Sequence, residues 1–500
     1  MIFNKNSATI AIAALTAICL IQEHGFVFYL GVAGICSLII LAAFSPWLGM
    51  LALFPLLFSL PPAPATIGIT ELSFALLMGV IFVGVLVRLS RSANKAALKY
   101  FGLALLVGLF VLAVNLFVAV KNGVPLVDWV RGAIPFLFIY NFLSVAILVG
   151  NDESRIRWLG GSIATLIFLF SGYIIFYYFY YDIWLPYWLV MVDDKVVRMS
   201  ETAALQYSEA LGPMRDRVTM VVAQATDALL PVGVVLGVVL ATLARRKSVV
   251  AIGFLMALTC LFAVLITFTR SMLMSSLLIA FVFTAFIFMF RKEMRLKVVK
   301  IGAALGVAGV IFIFATGMQD IWVGRMNQLT EIKTGNLKEF YSKDPVLKEK
   351  LDFNVSSRLV EYKIAWNMFV SHPVLGNGLG IKHEMQWETV ENERQTKWVA
   401  YVHNWVFYIL MVGGIAGFLV YSVVLIGPLF FRLSWVKSES THWTIIRAAV
   451  LTMTVYGAFF AVFRLITFNL LISVIWGLIF AQILADRRKS QSSIKEEVAL

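Results

Sequence analysis

Apolar residues in this chain gather in long unbroken runs, separated by short polar connections, from one end to the other. Fourteen runs approach membrane-spanning length: near 7–22, 26–43, 47–60, 72–87, 100–120, 133–149, 158–181, 228–243, 249–268, 272–290, 298–316, 404–430, 446–463 and 469–485. The pattern predicts one all-α membrane domain, a polytopic bundle of about 12–14 transmembrane helices, with the short run at 47–60 leaving the count open. The first run has no small-residue cleavage site and reads as a retained anchor. Two polar segments are too long for turns: a smaller one at 182–227 and a large loop at 317–403 between late helices. Within the large loop, Leu359, Tyr362, Trp366 and Phe369 recur at helical spacing, which predicts an amphipathic helix over 356–370, ended by Pro373. Residues 486–500 form a polar tail, expected to be disordered from 489 onward.

Composition agrees: 61% of the 500 residues are hydrophobic and 14% charged, which excludes an ordinary soluble globule. The three cysteines, Cys19, Cys36 and Cys260, all lie in apolar runs and offer no disulfide framework. The net charge of +13 is a matter of topology. With both termini cytoplasmic, 22 basic and 7 acidic residues fall inside, against 19 and 21 outside, as the positive-inside rule requires. A nucleic-acid footprint would need one basic folded face and is excluded as a reading.

Both polar segments then lie outside, where a few arginines stand at the membrane edge. Arg270 sits in the tight connection Thr267-Phe268-Thr269-Arg270-Ser271, Arg464 in another tight outer turn, and Arg131 just before the run at 133. Arg358 opens the predicted loop helix. A cation at the hydrocarbon edge is costly without a partner, so each is a functional candidate; snorkelling to lipid phosphate, or for Arg358 a solvated helix end, is the alternative. Guanidinium forms paired charge-assisted bonds to phosphate and stays charged, so several at one leaflet suit a lipid diphosphate.

Among the histidines, His24 and His442 read as loop residues, His372 as a turn former before Pro373, and His383 as a solvated residue among Glu384 and Glu388. His403 differs: with Asn404 it stands directly before a membrane helix, at the external mouth of the bundle, where an imidazole can take a proton from a hydroxyl. The acidic run Glu384, Glu388, Glu391 and Glu393 reads as a solvated face, and without Asp-x-Asp or His-x-x-x-His spacing no metal and no cofactor is expected.

His403-Asn404, nine residues, then Gly414-Ile415-Ala416-Gly417 resembles the signature of the O-antigen ligase and polysaccharide polymerase superfamily. The stretch from Arg358 through Trp366 to His372-Pro373-Val374-Leu375-Gly376-Asn377-Gly378-Leu379-Gly380 is similar to that family's external-loop segment, and Thr269-Arg270-Ser271 to its Thr/Ser-Arg element. The likeness covers mainly residues 260–430. On the residues alone, Gly413 and Gly417 also read as a small-residue face for close helix packing.

The resemblance implies an inverting, metal-independent glycosyltransferase of the bacterial inner membrane with a periplasmic active site. It would move a glycan from an undecaprenyl-diphosphate donor to a sugar hydroxyl on a lipid A core or on a second lipid-linked glycan, as an O-antigen ligase or an O-antigen or exopolysaccharide polymerase. By position, His403 corresponds to the general base, and Arg270 and Arg358 to the diphosphate-binding arginines; Arg464 and Arg131 join them from topology alone. The length of the chain and the extra external segment at 182–227, which could hold a growing polymer, lean the choice slightly towards a polymerase. A lipid-linked oligosaccharide flippase or secondary transporter is the rival class, but the unusual charges cluster at the outer boundary and the halves do not repeat.

Overall fold

The computed structural model describes residues 5–20, 25–57, 69–91, 95–150, 152–179, 191–192, 195–196, 229–330, 353–388, 394–430 and 439–499. Among these residues, ten helices are long and apolar enough to cross a membrane, and shorter apolar helices such as Leu229–Leu243 and Thr444–Gly457 accompany them. The chain is an all-α polytopic bundle. Such a build follows from the solvent: hydrocarbon offers backbone groups no partners, so each crossing segment must close its hydrogen bonds within itself. The run expected at 47–60 is the helix Pro46–Leu57, whose 12 residues span about 18 Å, well short of a bilayer core.

Side chains sort by partner rather than by polarity. Helix Leu229–Leu243 is buried along almost its whole length, and at its crossing with Lys247–Ile266 a Cβ on Gly237 would lie 2.5 Å from the Ala257 nitrogen. Small residues thus bring two backbones together where lipid gives no hydrophobic push. Phe110, Phe281 and Phe314 point outward instead, each about two-thirds exposed, as lipid-facing rings do.

Several expectations are corrected. The run expected from 133 begins as the helix Leu126–Leu137, so Arg131 lies inside a helix, not before one. Apolar Val127 and Val130 extend the helix outward past the charge, and Pro125 precedes its first turn. The tail is not coil: helix Ile466–Ala499 runs through it, because Arg, Lys, Gln and Glu are good helix formers and no Gly or Pro interrupts them. His442 stands in the helix Glu439–Gly457 rather than a loop. Most of 182–227 and His24 lie outside the described residues, as do Glu391 and Glu393.

In the large loop the predicted helix is Phe353–Ser371, ending two residues before Pro373. Its buried stripe differs from the expected one: Val360, Glu361 and Ala365 are buried, while Trp366 is 47% exposed beside Phe369. After it comes an antiparallel hairpin, His383–Glu388 paired with Arg394–Val399, so Glu384 and Glu388 of the acidic run stand on a strand. His383 is correspondingly not solvated. It is buried, its Nε2 lies 2.9 Å from the Tyr401 carbonyl oxygen, and burial lowers its pKa below the ordinary histidine value. Strand alternation explains the reversal: His383 and Met385 share the inward side, and Glu384 takes the exposed one.

Candidate active site

The helix Trp405–Ile426 starts from Asn404 and is broken in its middle. Asn404 caps it, its side-chain oxygen accepting from the backbone N–H of Val406 and Phe407, while its Nδ2 donates to the Ala458 carbonyl at 2.8 Å. One side chain therefore begins the helix and ties it to the end of Glu439–Gly457. Gly414 has φ 59°, ψ −161°, a left-handed-side conformation that glycine alone adopts without strain, and the i to i−4 ladder stops there.

The segment 373–378 takes up the bonds the break releases. Asn377 N–H donates to Met411 O and Gly378 N–H to Val412 O, both at 2.9 Å; in return Ile415 N–H donates to Pro373 O at 2.9 Å and Ala416 N–H to Val374 O at 3.1 Å. The Asn377 side chain adds bonds to Met368 O and Met411 O, each 2.9 Å. The seam is close: a Cβ on Gly376 would sit 2.5 Å from the nitrogens of Gly413 and Gly414. Gly378 and Gly380 meet the backbone at Ala119 and Asp128 in the same way, and Asn115 reaches across with its Oδ1 accepting from Leu379 N–H at 2.9 Å. The two glycine-containing motifs, 34 or more residues apart, are therefore two sides of one backbone junction. Among the described residues, a Cβ on Gly413 would meet nothing within 4 Å and one on Gly417 only its own helix, so no second helix packs closely against them there.

His403 stands just before this capped helix end. It is buried, at 9% exposure, and Glu361 of the loop helix, at 2%, lies against it. The Glu361 carboxylate accepts from the His403 backbone N–H at 3.0 Å, and its two oxygens lie 3.0 and 3.1 Å from Nδ1. Arg358 Nη1 is 3.6 Å from the same carboxylate, with about a third of the arginine side chain exposed. Arg464 comes from the 3-10 turn Ala461–Arg464, its guanidinium 4.7 Å from the centre of the Tyr401 ring and 5.9 Å from that of Tyr408. Tyr401 and Phe460 meet the imidazole edge-on, at 5.0 and 5.8 Å. Tyr362 stacks on Phe407 at 4.9 Å and its hydroxyl donates to the His403 carbonyl.

Burial is the largest influence on these charges. It pushes the Glu361 carboxyl up to about 8, with Arg358 and then Arg464 pulling the other way. It also draws the Arg358 guanidinium below its ordinary value, opposed by Glu361, Tyr362 and Tyr401. The cluster can hold an anion at the arginines and pass a proton at the imidazole, with a dry carboxylate behind it.

Of the residues singled out in the sequence, the structure gathers His403, Arg358 and Arg464 around Glu361, and joins Pro373, Gly376 and Gly378 to Gly414. Arg270 is placed by another element: it opens the helix Arg270–Phe290 after the buried turn Thr267–Thr269, in which Phe268 has φ 50° and packs on Trp322. Arg131 is exposed on Leu126–Leu137. Glu361 is the residue the sequence reading missed. Its signal was present, since Arg358, Glu361 and Ala365 fall on one helical face.

Residues 255–422 match the O-Antigen ligase family model. The matched third of the chain contains Arg270, Arg358, Glu361, His403 and the whole backbone junction. It supports an O-antigen ligase or polymerase type of membrane glycosyltransferase at the level of the family, as the motifs resembled. No curated protein matches the chain. Among the described residues, no group of three or more His, Cys, Asp or Glu is placed to share a metal ion.

Proposed function

We propose that this O-antigen ligase-type protein transfers a glycan from an undecaprenyl-diphosphate carrier to a sugar hydroxyl at the periplasmic face of the inner membrane, with inversion and without a metal. The observation that carries the reading is the burial of His403 at a helix mouth against Glu361, the carboxylate around which the Arg358 and Arg464 guanidinium groups also gather. The acceptor hydroxyl gives its proton to His403 as its oxygen bonds to the donor's anomeric carbon. At the same time the bond from that carbon to the phosphate oxygen breaks, and its electron pair leaves with the lipid diphosphate. Arg358 and Arg464 stabilise the charge that develops there; Arg270, carried by the resemblance, serves the same end. The imidazolium then returns its proton to solvent. The acceptor is a lipid A core sugar or a second lipid-linked glycan.

Purified protein with a defined lipid-linked repeat, with and without a lipid A core acceptor, tests this directly. Arg358→Ala removes one preorganised donor, which typically costs about 3–4 kcal/mol or several hundredfold in rate. His403→Ala removes the proton acceptor itself and should cost at least about 10⁴-fold, so each change should strip away most or all of the product ladder the parent makes. Parent-level transfer by His403→Ala would exclude the assignment. A ladder without core acceptor identifies a polymerase; capping of the core identifies a ligase.

A further inference from the structure

We infer that Glu361 is the positioning residue of the proton transfer: seated against both the backbone N–H and Nδ1 of His403, it holds the imidazole with Nδ1 protonated and Nε2 free to accept the hydroxyl proton. This rests on the proposed role of His403 and goes beyond it, because an imidazole alone chooses neither nitrogen.

The geometry supplies the choice. The backbone N–H of His403 is always a donor, so its 3.0 Å contact fixes Glu361 Oε2 as an acceptor. Nδ1 lies within hydrogen-bond distance of both oxygens of the same group, so an ionised Glu361 is met by an Nδ1–H. A carboxylate in that place also stabilises the imidazolium formed when Nε2 takes a proton. The alternative, a purely structural ion pair with Arg358, does not account for the arrangement: that contact is the longest of the set, at 3.6 Å, and the arginine keeps a third of its surface. From its own helix Glu361 faces Arg358, with Tyr362 beside it; from the other elements come His403 and the positive field of Arg464, which itself lies over Tyr401 and Tyr408.

Burial makes the arrangement sensitive to pH. A carboxyl raised to about 8 is mostly protonated at neutral pH and becomes the required acceptor only as pH rises. The form with Glu361 ionised and the His403 Nε2 open is the one that transfers. The rate therefore climbs with pH as Glu361 ionises and levels once it has, roughly tenfold per unit below that ionisation.

The test is Glu361→Gln, with Glu361→Asp beside it, in full-length protein in lipid nanodiscs with lipid-linked donor. A glutamine can still accept from the backbone N–H, but it turns an NH2 towards Nδ1 and forces the proton onto Nε2. Expected are a fall in kcat of roughly 10³- to 10⁴-fold with donor KM within about threefold of the parent, and loss of the alkaline rise in rate. Glu361→Asp should restore part of kcat together with the pH-dependent rise. Nitrogen NMR of labelled histidine reads the tautomer independently of turnover: Nδ1–H in the parent at high pH, Nε2–H in Glu361→Gln. Parent-like kcat or an unchanged pH profile in Glu361→Gln, with His403→Ala inactive, overturns the inference and leaves the general base standing. Full activity of His403→Ala overturns both.

Discussion

Replacing Gly376 with alanine places a methyl group where backbone already lies. Its Cβ would approach three atoms of residues 412–414 at 2.5 Å, and φ at this position is +71°, so neither a rotamer change nor a small shift of a flexible neighbour relieves the clash. The strain of the left-handed conformation costs about 1 kcal/mol. Opening the junction adds more: four backbone hydrogen bonds join 373–378 to the broken helix, each with a net value of about 0.5–1.5 kcal/mol. Partial opening therefore gives a destabilisation of about 3–5 kcal/mol, at the severe end of single substitutions. The comparison is Gly302→Ala, whose new methyl meets nothing within 4 Å on the helix Arg295–Ala315. Equilibrium unfolding of both variants in the same detergent micelle measures the difference. If Gly376→Ala unfolds within about 0.5 kcal/mol of Gly302→Ala, the junction is not a main-chain joint and the reasoning fails.

Two further predictions follow from the same neighbourhood. Asn404→Ala removes the acceptor for two N–H groups and the bond to Ala458, so it should lower stability by about 1–2 kcal/mol, whereas Asn404→Ser, which keeps a capping oxygen and places no acceptor against the Ala458 carbonyl, should lose less in the same unfolding measurement. Burial favours the neutral form of His383, whose Nε2 is bonded to Tyr401. With a native pKa below the unfolded value, its contribution is full above about pH 6.5 and is lost as pH falls through the native value; hydrogen exchange at the 383–399 hairpin should speed up on acidification, and His383→Gln should remove that pH dependence.

Hydropathy made the bundle legible because a membrane crossing leaves a long local signal, and the loop helix was legible to within three residues for the same reason of periodicity. His403 and Arg464 stood out because a polar residue at the edge of an apolar run breaks a strong pattern. Glu361 did not: an acid three residues from Arg358 on a mixed helix has the spacing of an ordinary solvated pair, and its setting depends on His403 and Arg464 arriving from elsewhere. The loop glycines were visible as a turn, but their pairing with Gly414 was not, since backbone hydrogen bonds across 34 residues leave no residue type behind. The helical tail was misread because polarity alone does not prevent a helix where breakers are absent.

A joint made of main-chain atoms has a consequence for which residues the chain can exchange. Val374 and Leu375 lend it carbonyl and spacing, not side chains, and both point outward, so another apolar pair would serve equally. The joint ties the end of the loop helix that carries Arg358 and Glu361 to the half-helix whose Asn404 cap follows His403. Under the proposed reaction, phosphate grip and proton acceptor then travel as one piece, and a movement that admits a long glycan has to swing the pair together rather than pull it apart.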